Sequence, residues 1–183
     1  MSTLSELIGG GGGGVWEYIS TTTASAASTV DITGIDSTYD QYVVLADRFT
    51  SSQANWIIAR FFLAGSIVTT GTYDYVRTVH NSGGSISNGQ GSGQTKPQCM
   101  FAYGGGSADE SESCIIHIFD PNTASVARKI YTEHFGTGDN LASRSTSAIS
   151  NRGTSSLTGI QLFVDSAGQT ITGTFHLYGI TNS

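Results

Sequence analysis

The stretch Ile171-Thr172-Gly173-Thr174-Phe175-His176-Leu177-Tyr178 alternates with a period of two. Ile171, Phe175 and Leu177 fall on one face and Thr172, Thr174, His176 and Tyr178 on the other, the pattern of a half-buried antiparallel strand. Just upstream, Ile160, Leu162 and Val164 share a face, and Ser166-Ala167-Gly168-Gln169 supplies turn residues, so the two segments are predicted to form a C-terminal hairpin. Further strands are drawn at 15–22, 41–50, 55–64, 100–103, 114–119, 129–134 and 145–151, with weaker signals at 29–32 and 73–79. Eight to ten short strands without intervening helices predict an all-β chain, an antiparallel β-sandwich of jelly-roll-like arrangement.

Composition points the same way. Charged residues make up only 12% of the 183 positions while Gly supplies 24, a balance that leaves too few Lys, Glu and Arg to solvate the outer faces of long helices. The length suits one domain, 15–183, preceded by an arm, 1–14. In the arm Leu4, Leu7 and Ile8 form a small apolar cluster, and Gly9, Gly10, Gly11, Gly12, Gly13 and Gly14 follow without a break. Six glycines lose much backbone entropy on ordering and bring no side chain to offset it. The arm is therefore expected to be extended and to be held by contacts outside the run, those of a neighbouring subunit being favoured over packing back on its own domain.

A net charge of −6 with only 8 Lys and Arg, scattered along the chain, argues against a nucleic-acid partner. No membrane span is expected either, because the most apolar run, 56–64, is short and carries Arg60 in its middle. No secretory signal is read, so Cys99 and Cys114 are expected to be reduced thiols, Cys114 sharing a strand face with Ile116 and Ile118.

Catalytic and cofactor patterns were sought and none stands out. Gly9, Gly11 and Gly14 match G-x-G-x-x-G, but the segment after them reads as a strand where a dinucleotide fold requires a helix. His80, His117, His134 and His176 are far apart, without metal-ligand spacing, and read as single residues on strand faces. Asp36-Ser37-Thr38-Tyr39-Asp40 reads as a turn whose Asp side chains bond the local backbone. No cofactor, no metal and no enzymatic activity are expected.

Two strands are apolar on both sides. Segment 41–49 sets Val43, Leu45 and Phe49 against Tyr42, Val44 and Ala46, and 55–64 sets Trp56, Ile58 and Phe62 against Ile57, Phe61 and Leu63. One face belongs to the core, and the other must be covered by a loop, an arm or another subunit. Tyr42, Trp56, Phe62, Tyr73, Tyr75 and Tyr178 are the residues from which an interface or ligand face is expected. Residues 81–98, rich in Gly, Ser, Asn and Gln, read as a long loop, either functional or disordered.

Thr33-Gly34-Ile35-Asp36-Ser37-Thr38-Tyr39-Asp40-Gln41-Tyr42-Val43 and the terminal Ile171-Thr172-Gly173-Thr174-Phe175-His176-Leu177-Tyr178-Gly179-Ile180 resemble the beginning and end of a β-sandwich module of tailed-bacteriophage virion proteins, among them capsid decoration (cement) proteins and fibre components. The resemblance covers roughly residues 16–183, and the Leu-containing start with polyglycine is similar to short phage structural proteins. It implies a non-enzymatic protein assembled in the host cytoplasm and exposed on the virion exterior. The expected partners are other virion proteins, the major capsid protein first, and copies of the chain itself, as a homotrimer. The alternative is a tail-fibre or receptor-binding module, in which Trp56, Tyr73, Tyr75 or the 81–98 loop touches host-surface glycan. A polysaccharide-lyase-like enzyme is the reading from a third class.

Overall fold

The computed structural model describes residues 15–103, 110–123, 125–138 and 141–181. Among these residues the chain forms thirteen strands and no helix. They are β1 (Val15–Ala27), β2 (Val30–Thr33), β3 (Gln41–Ser51), β4 (Asn55–Leu63), β5 (Ser66–Ile67), β6 (Tyr73–Asn81), β7 (Ile86–Gln94), β8 (Gln98–Ala102), β9 (Ser111–Phe119), β10 (Arg128–Gly138), β11 (Leu141–Asn151), β12 (Leu157–Val164) and β13 (Ile171–Thr181). An eight-stranded sheet runs β1-β13-β3-β9-β10-β11-β6-β7, and a smaller sheet runs β2-β12-β4-β5, with β8 also pairing β4. The pairings are antiparallel. The all-β sandwich expected from period-two alternation is what the chain forms.

The pairings nest. β4 pairs β8, β3 pairs β9, β2 pairs β12 and β1 pairs β13, so the chain is a long antiparallel ribbon whose successive rungs lie alternately in the small and the large sheet. Further pairs, β13 with β3 and β12 with β4, close the ribbon on itself. Strands β10, β11, β6 and β7 then widen the large sheet beyond β9.

Inward side chains of the two sheets make one core, including Ile32, Tyr42, Val44, Ile57, Phe61, Met100, Ile116, Ile130, Ile160, Leu162, Phe175 and Leu177. Burying a large aliphatic or aromatic side chain contributes about 1.5–3 kcal/mol, so this face-to-face packing dominates the fold's stability. Cys99 and Cys114 are both free and buried in it, and Cys114 packs with Ile116 and Ile118 as a small hydrophobe. Burial pushes the Cys99 thiol up to about 12 and the Cys114 thiol higher than its ordinary value as well.

Three expectations are corrected. The C-terminal segments do not form a hairpin: β12 lies in the small sheet and β13 in the large one, so Ile160, Leu162 and Val164 and their counterparts Ile171, Phe175 and Leu177 come from opposite sheets into one core. Turn chemistry was present, with Gly168 at φ 77°, but apolar faces that need each other sit on opposite walls of a sandwich. Phe49 lies with Tyr42, Val44 and Ala46, because the β3–β9 register shifts between Ala46 and Phe49 and the additional residue reverses the alternation. β13 answers this with its own irregularity between Gly173 and His176, where a Cβ at Gly173 would stand 2.4 Å from that of Phe49. The third correction is residues 81–98, which are not a long loop: β7 runs through them, paired with β6.

The reading of 36–40 as a turn holds. Thr38 N donates to Asp36 Oδ1 at 2.8 Å, and the same oxygen accepts from Tyr42 Oη at 2.7 Å. Tyr73 is held similarly in the core, its Oη accepting from Phe61 N at 2.8 Å and donating to Val68 O at 3.0 Å. Burial pushes both phenols up to about 12. A raised tyrosine pKa means that the folded chain keeps a proton the unfolded chain releases above pH ~10, so stability is full below that pH and falls as pH rises towards 12. In a titration of tyrosinate absorbance with circular dichroism read in parallel, two of the 8 tyrosines are expected to ionise only as the fold is lost. Smooth ionisation of every tyrosine near pH 10 with an unchanged fold would contradict this.

Candidate functional site

The outer face of the eight-stranded sheet is the largest surface that no other part of the described chain covers. Strict pairing sets side chains in rows across it. One row crosses every strand: Tyr18, Tyr178, Val43, His117, Tyr131, Ala148, Val76 and Gln90 are successive cross-strand partners. Directly opposed side chains in a sheet are near neighbours, so the row forms a continuous, mostly apolar band. Val43, which faces outward from β3, is fully buried between its neighbours in this band.

The two ends of the band differ. At the β1 end, Trp16 and Tyr18 flank Tyr178, with ring centroids 5.8 and 5.9 Å from it. Val15, Trp16 and Tyr18 are 59%, 45% and 57% exposed. They stand on an edge strand, where unpaired backbone groups add to exposed apolar surface. His176 Nδ1 lies 2.8 Å from Thr21 Oγ1 beside them.

At the far end, β9, β10, β11, β6 and β7 enclose a shallow depression of about 780 Å3. Phe119 and Tyr131 rise on one side, Val76 on the other, and the small Ala148 lies between. His117 is nearly parallel to Phe119, at 6.1 Å and 14°, and lies 6.3 Å from Tyr131, so three rings form one aromatic platform. Around the rim, Asp74 accepts from Arg152 Nε at 3.0 Å, from Arg152 Nη2 at 2.8 Å and from Gly93 N at 3.0 Å. Arg152 Nη2 also donates to Ser92 Oγ at 2.9 Å. These hydrogen bonds, Arg152's above all, hold the Asp74 carboxyl well below the usual carboxylate range. Lys129 pairs with Asp120 at 3.2 Å. A second depression of about 480 Å3 lies beside the β3 irregularity, lined by Leu45, Ile115 and Phe135 with Asp47, Glu133 and Arg144.

The residues singled out in the sequence are divided by the fold. Tyr178 lies in the outer band, partly buried between Trp16 and Tyr18. Tyr75 is partly buried against the core, and Phe62 is half-buried on the small sheet. Tyr42 and Tyr73 are fully buried core residues and take no part in an exposed face, and their hydroxyls are consumed by Asp36 and by the backbone of 61 and 68. Trp56 is plugged by its own chain: the Arg77 guanidinium lies 3.6 Å over its ring and Phe101 meets it edge-on at 4.9 Å. Leu4, Leu7, Ile8 and Gly9 to Gly14 lie outside the described residues.

Sequence reasoning passed over the depression because Phe119 and Tyr131 look like ordinary strand residues, and β7 looks like a loop. A signal was present in Gly89-Gln90-Gly91-Ser92-Gly93-Gln94, where glycine recurs at every second position. A Cβ at Gly89 would stand 2.5 Å from Arg77 Cζ, and one at Gly91 2.5 Å from Tyr75 Cε1. The glycines therefore face inward under two large side chains, leaving Gln90 on the outer face opposite Val76.

A second constellation was also passed over. His134 Nε2 donates to Glu112 Oε2 at 2.6 Å, and its Nδ1 lies 3.1 Å from Ser145 Oγ. Glu112 Oε1 accepts from Tyr103 N at 2.7 Å. The trio has the residue types of a nucleophile–base–acid relay, but the Glu112 and His134 side chains are entirely shut from solvent and Ser145 is buried, so a substrate has no approach to it in this structure. Gly136 makes room for the carboxylate, since a Cβ there would stand 1.7 Å from Glu112 Oε2. Among the described residues no group of three His, Cys, Asp or Glu stands close enough to hold a metal ion. Compared with known proteins, the chain matches no family model and no curated protein.

The buried pair should be costly to split. His134→Ala leaves the Glu112 carboxylate buried with one backbone donor and is expected to lower stability by about 3–5 kcal/mol in urea unfolding. Glu112→Leu with His134→Leu together is expected to cost less than the sum of the single changes. Additive losses would show that the two side chains are not coupled.

Proposed function

We propose that this chain is a non-enzymatic structural protein of a bacteriophage virion, a capsid decoration (cement) protein that reinforces the shell through its N-terminal arm and through contacts between copies. The observation that carries this reading is the exposed pair Trp16 and Tyr18 on the edge strand β1, shortly after the polyglycine run. An edge strand with exposed aromatic side chains is a place where another chain adds, by backbone pairing and apolar burial together. The opposite edge, β7, is Gly, Ser, Asn and Gln for most of its length, which discourages pairing there. The nested ribbon reads as a jelly-roll winding, a shape that presents one broad sheet face to a neighbour. A trimer is the reading favoured here, in which the β1 edge of each copy meets a different surface of the next so that the contacts close in a ring, with the major capsid protein beneath it. A second reading, a tail-fibre or receptor-binding module touching host glycan, is favoured by the depression at the far end of the same face.

Light scattering of the full chain at micromolar concentration is expected to give an oligomer. Trp16→Ser with Tyr18→Ser should shift it to monomer while the melting temperature moves by no more than about 2 °C, because both side chains are surface residues. A monomeric native protein would remove the oligomer. Quantitative mass spectrometry of purified phage particles tests the virion assignment, which the absence of the chain from them would overturn.

A further inference from the structure

We infer that the depression bounded by β9, β10, β11, β6 and β7 is a binding site for a neutral saccharide. The inference stands on the geometry of that depression and needs neither the virion assignment nor the β1 contact, which lies at the other end of the sheet.

Three features select the ligand class. Phe119 and Tyr131, with His117 between them, present an aromatic platform beside Ala148, where a side chain no larger than a methyl leaves room for a ring. Sugar rings present one face of C–H groups that packs on aromatic side chains, and an edge of hydroxyls that needs donors and acceptors in the same plane. The Gln90 amide, Ser92 and Ser150 supply both kinds of group around the rim.

Charge decides against the competitors. Asp74 is neutralised by Arg152 and Lys129 by Asp120, so the rim carries polar groups without a free field of either sign. A phosphate, a nucleotide or an acidic sugar would need unpaired cations, and both cations of the rim are held by carboxylates. A wholly apolar ligand would cover Gln90, Ser150 and Asp74 without replacing their water, at the cost of unsatisfied polar groups. A neutral polyhydroxylated ring satisfies both the platform and the rim.

Arg152 also fixes the site's shape. By holding Asp74, which also accepts from Gly93 N, and Ser92 together, it ties the β7 edge to β6, so the rim is ordered before a ligand arrives. Gly91 serves the same end from beneath, since only a residue without a side chain lets Tyr75 lie against β7 and keep Gln90 in register with Val76.

The test uses the full chain and named probes. Maltotetraose, mannotetraose and lacto-N-tetraose are the neutral probes, and sialyllactose and tri-galacturonate the charged ones, each titrated by calorimetry and by saturation-transfer NMR. At least one neutral probe is expected to bind, with the charged ones weaker. Tyr131→Ala and Gln90→Ala are each expected to weaken it by about tenfold or more, corresponding to about 1.4 kcal/mol, while the melting temperature and the oligomer are retained. Tyr18→Ser, at the other end of the face, is expected to bind as the native protein does. Binding of none of the neutral probes overturns the proposal, as does undiminished binding by both depression variants. If Tyr131→Ala instead dissociates an oligomer, a second copy occupies the depression and the proposal also fails.

Discussion

A sheet of eight strands cannot be covered by a sheet of five. With strands about 4.8 Å apart, the large sheet is wider than its partner by roughly three to four strands, and β8 is the strand of the small sheet that lies over β10, β11 and β6. Most of what is unusual in this molecule follows from that mismatch. Strand β8 brings Cys99 and Met100 into this part of the core. Beyond Ile130 and Ile149, the facing positions of β10 and β11 are small or polar, Thr132, His134, Gly136, Ser143, Ser145 and Ser147, and all are buried.

Such an interior has to satisfy its own polar groups, because water cannot. Cys99 Sγ and Thr132 Oγ1 are 3.2 Å apart, Glu112 holds His134, and His134 holds Ser145. At the open end, Arg77 reaches from β6 in the large sheet to Trp56 in the small one and donates to Gln98 Oε1 at 2.6 Å, in space left by Gly89. Arg128, buried at the opposite side, donates to the carbonyls of Asp120, Thr154 and Ser155 and ties two connecting segments to β10. Polar linkage between the two sheets accompanies apolar packing at the Arg77 end of the core.

The same width leaves the outer face broad enough for two functions. The β1 end offers apolar side chains at a strand edge, a surface suited to another protein chain. The β7 end offers a ring-lined hollow with a neutralised polar rim, suited to a small polar ligand. Because rows of cross-strand partners run unbroken from Tyr18 to Gln90, both ends are held on one sheet, with Arg152, just beyond β11, clamping the rim of the depression.

Alternation within single strands was legible in the sequence by itself. Period two and short apolar runs between turn residues located β1, β3, β4, β8, β9, β10, β11, β12 and β13 and thereby the all-β class, because both signals arise within a single strand whatever it pairs with. The Asx turn at Asp36 and the apolar role of Cys114 were legible for the same reason: both are decided within a few residues. Partnership was not. Whether β12 turned back on β13 or crossed to the other sheet depended on which apolar face had an opposing wall, and Phe49 changed sides through one added residue in its strand. Tyr42 and Tyr73 were expected on an interface or ligand face, and a hydroxyl carries no mark of where its partner is. The meeting of Glu112, His134 and Ser145, and of Phe119 and Tyr131 with Gln90, was decided only by the tertiary structure, since strand register brings together residues whose separation along the chain has no bearing on their distance in space.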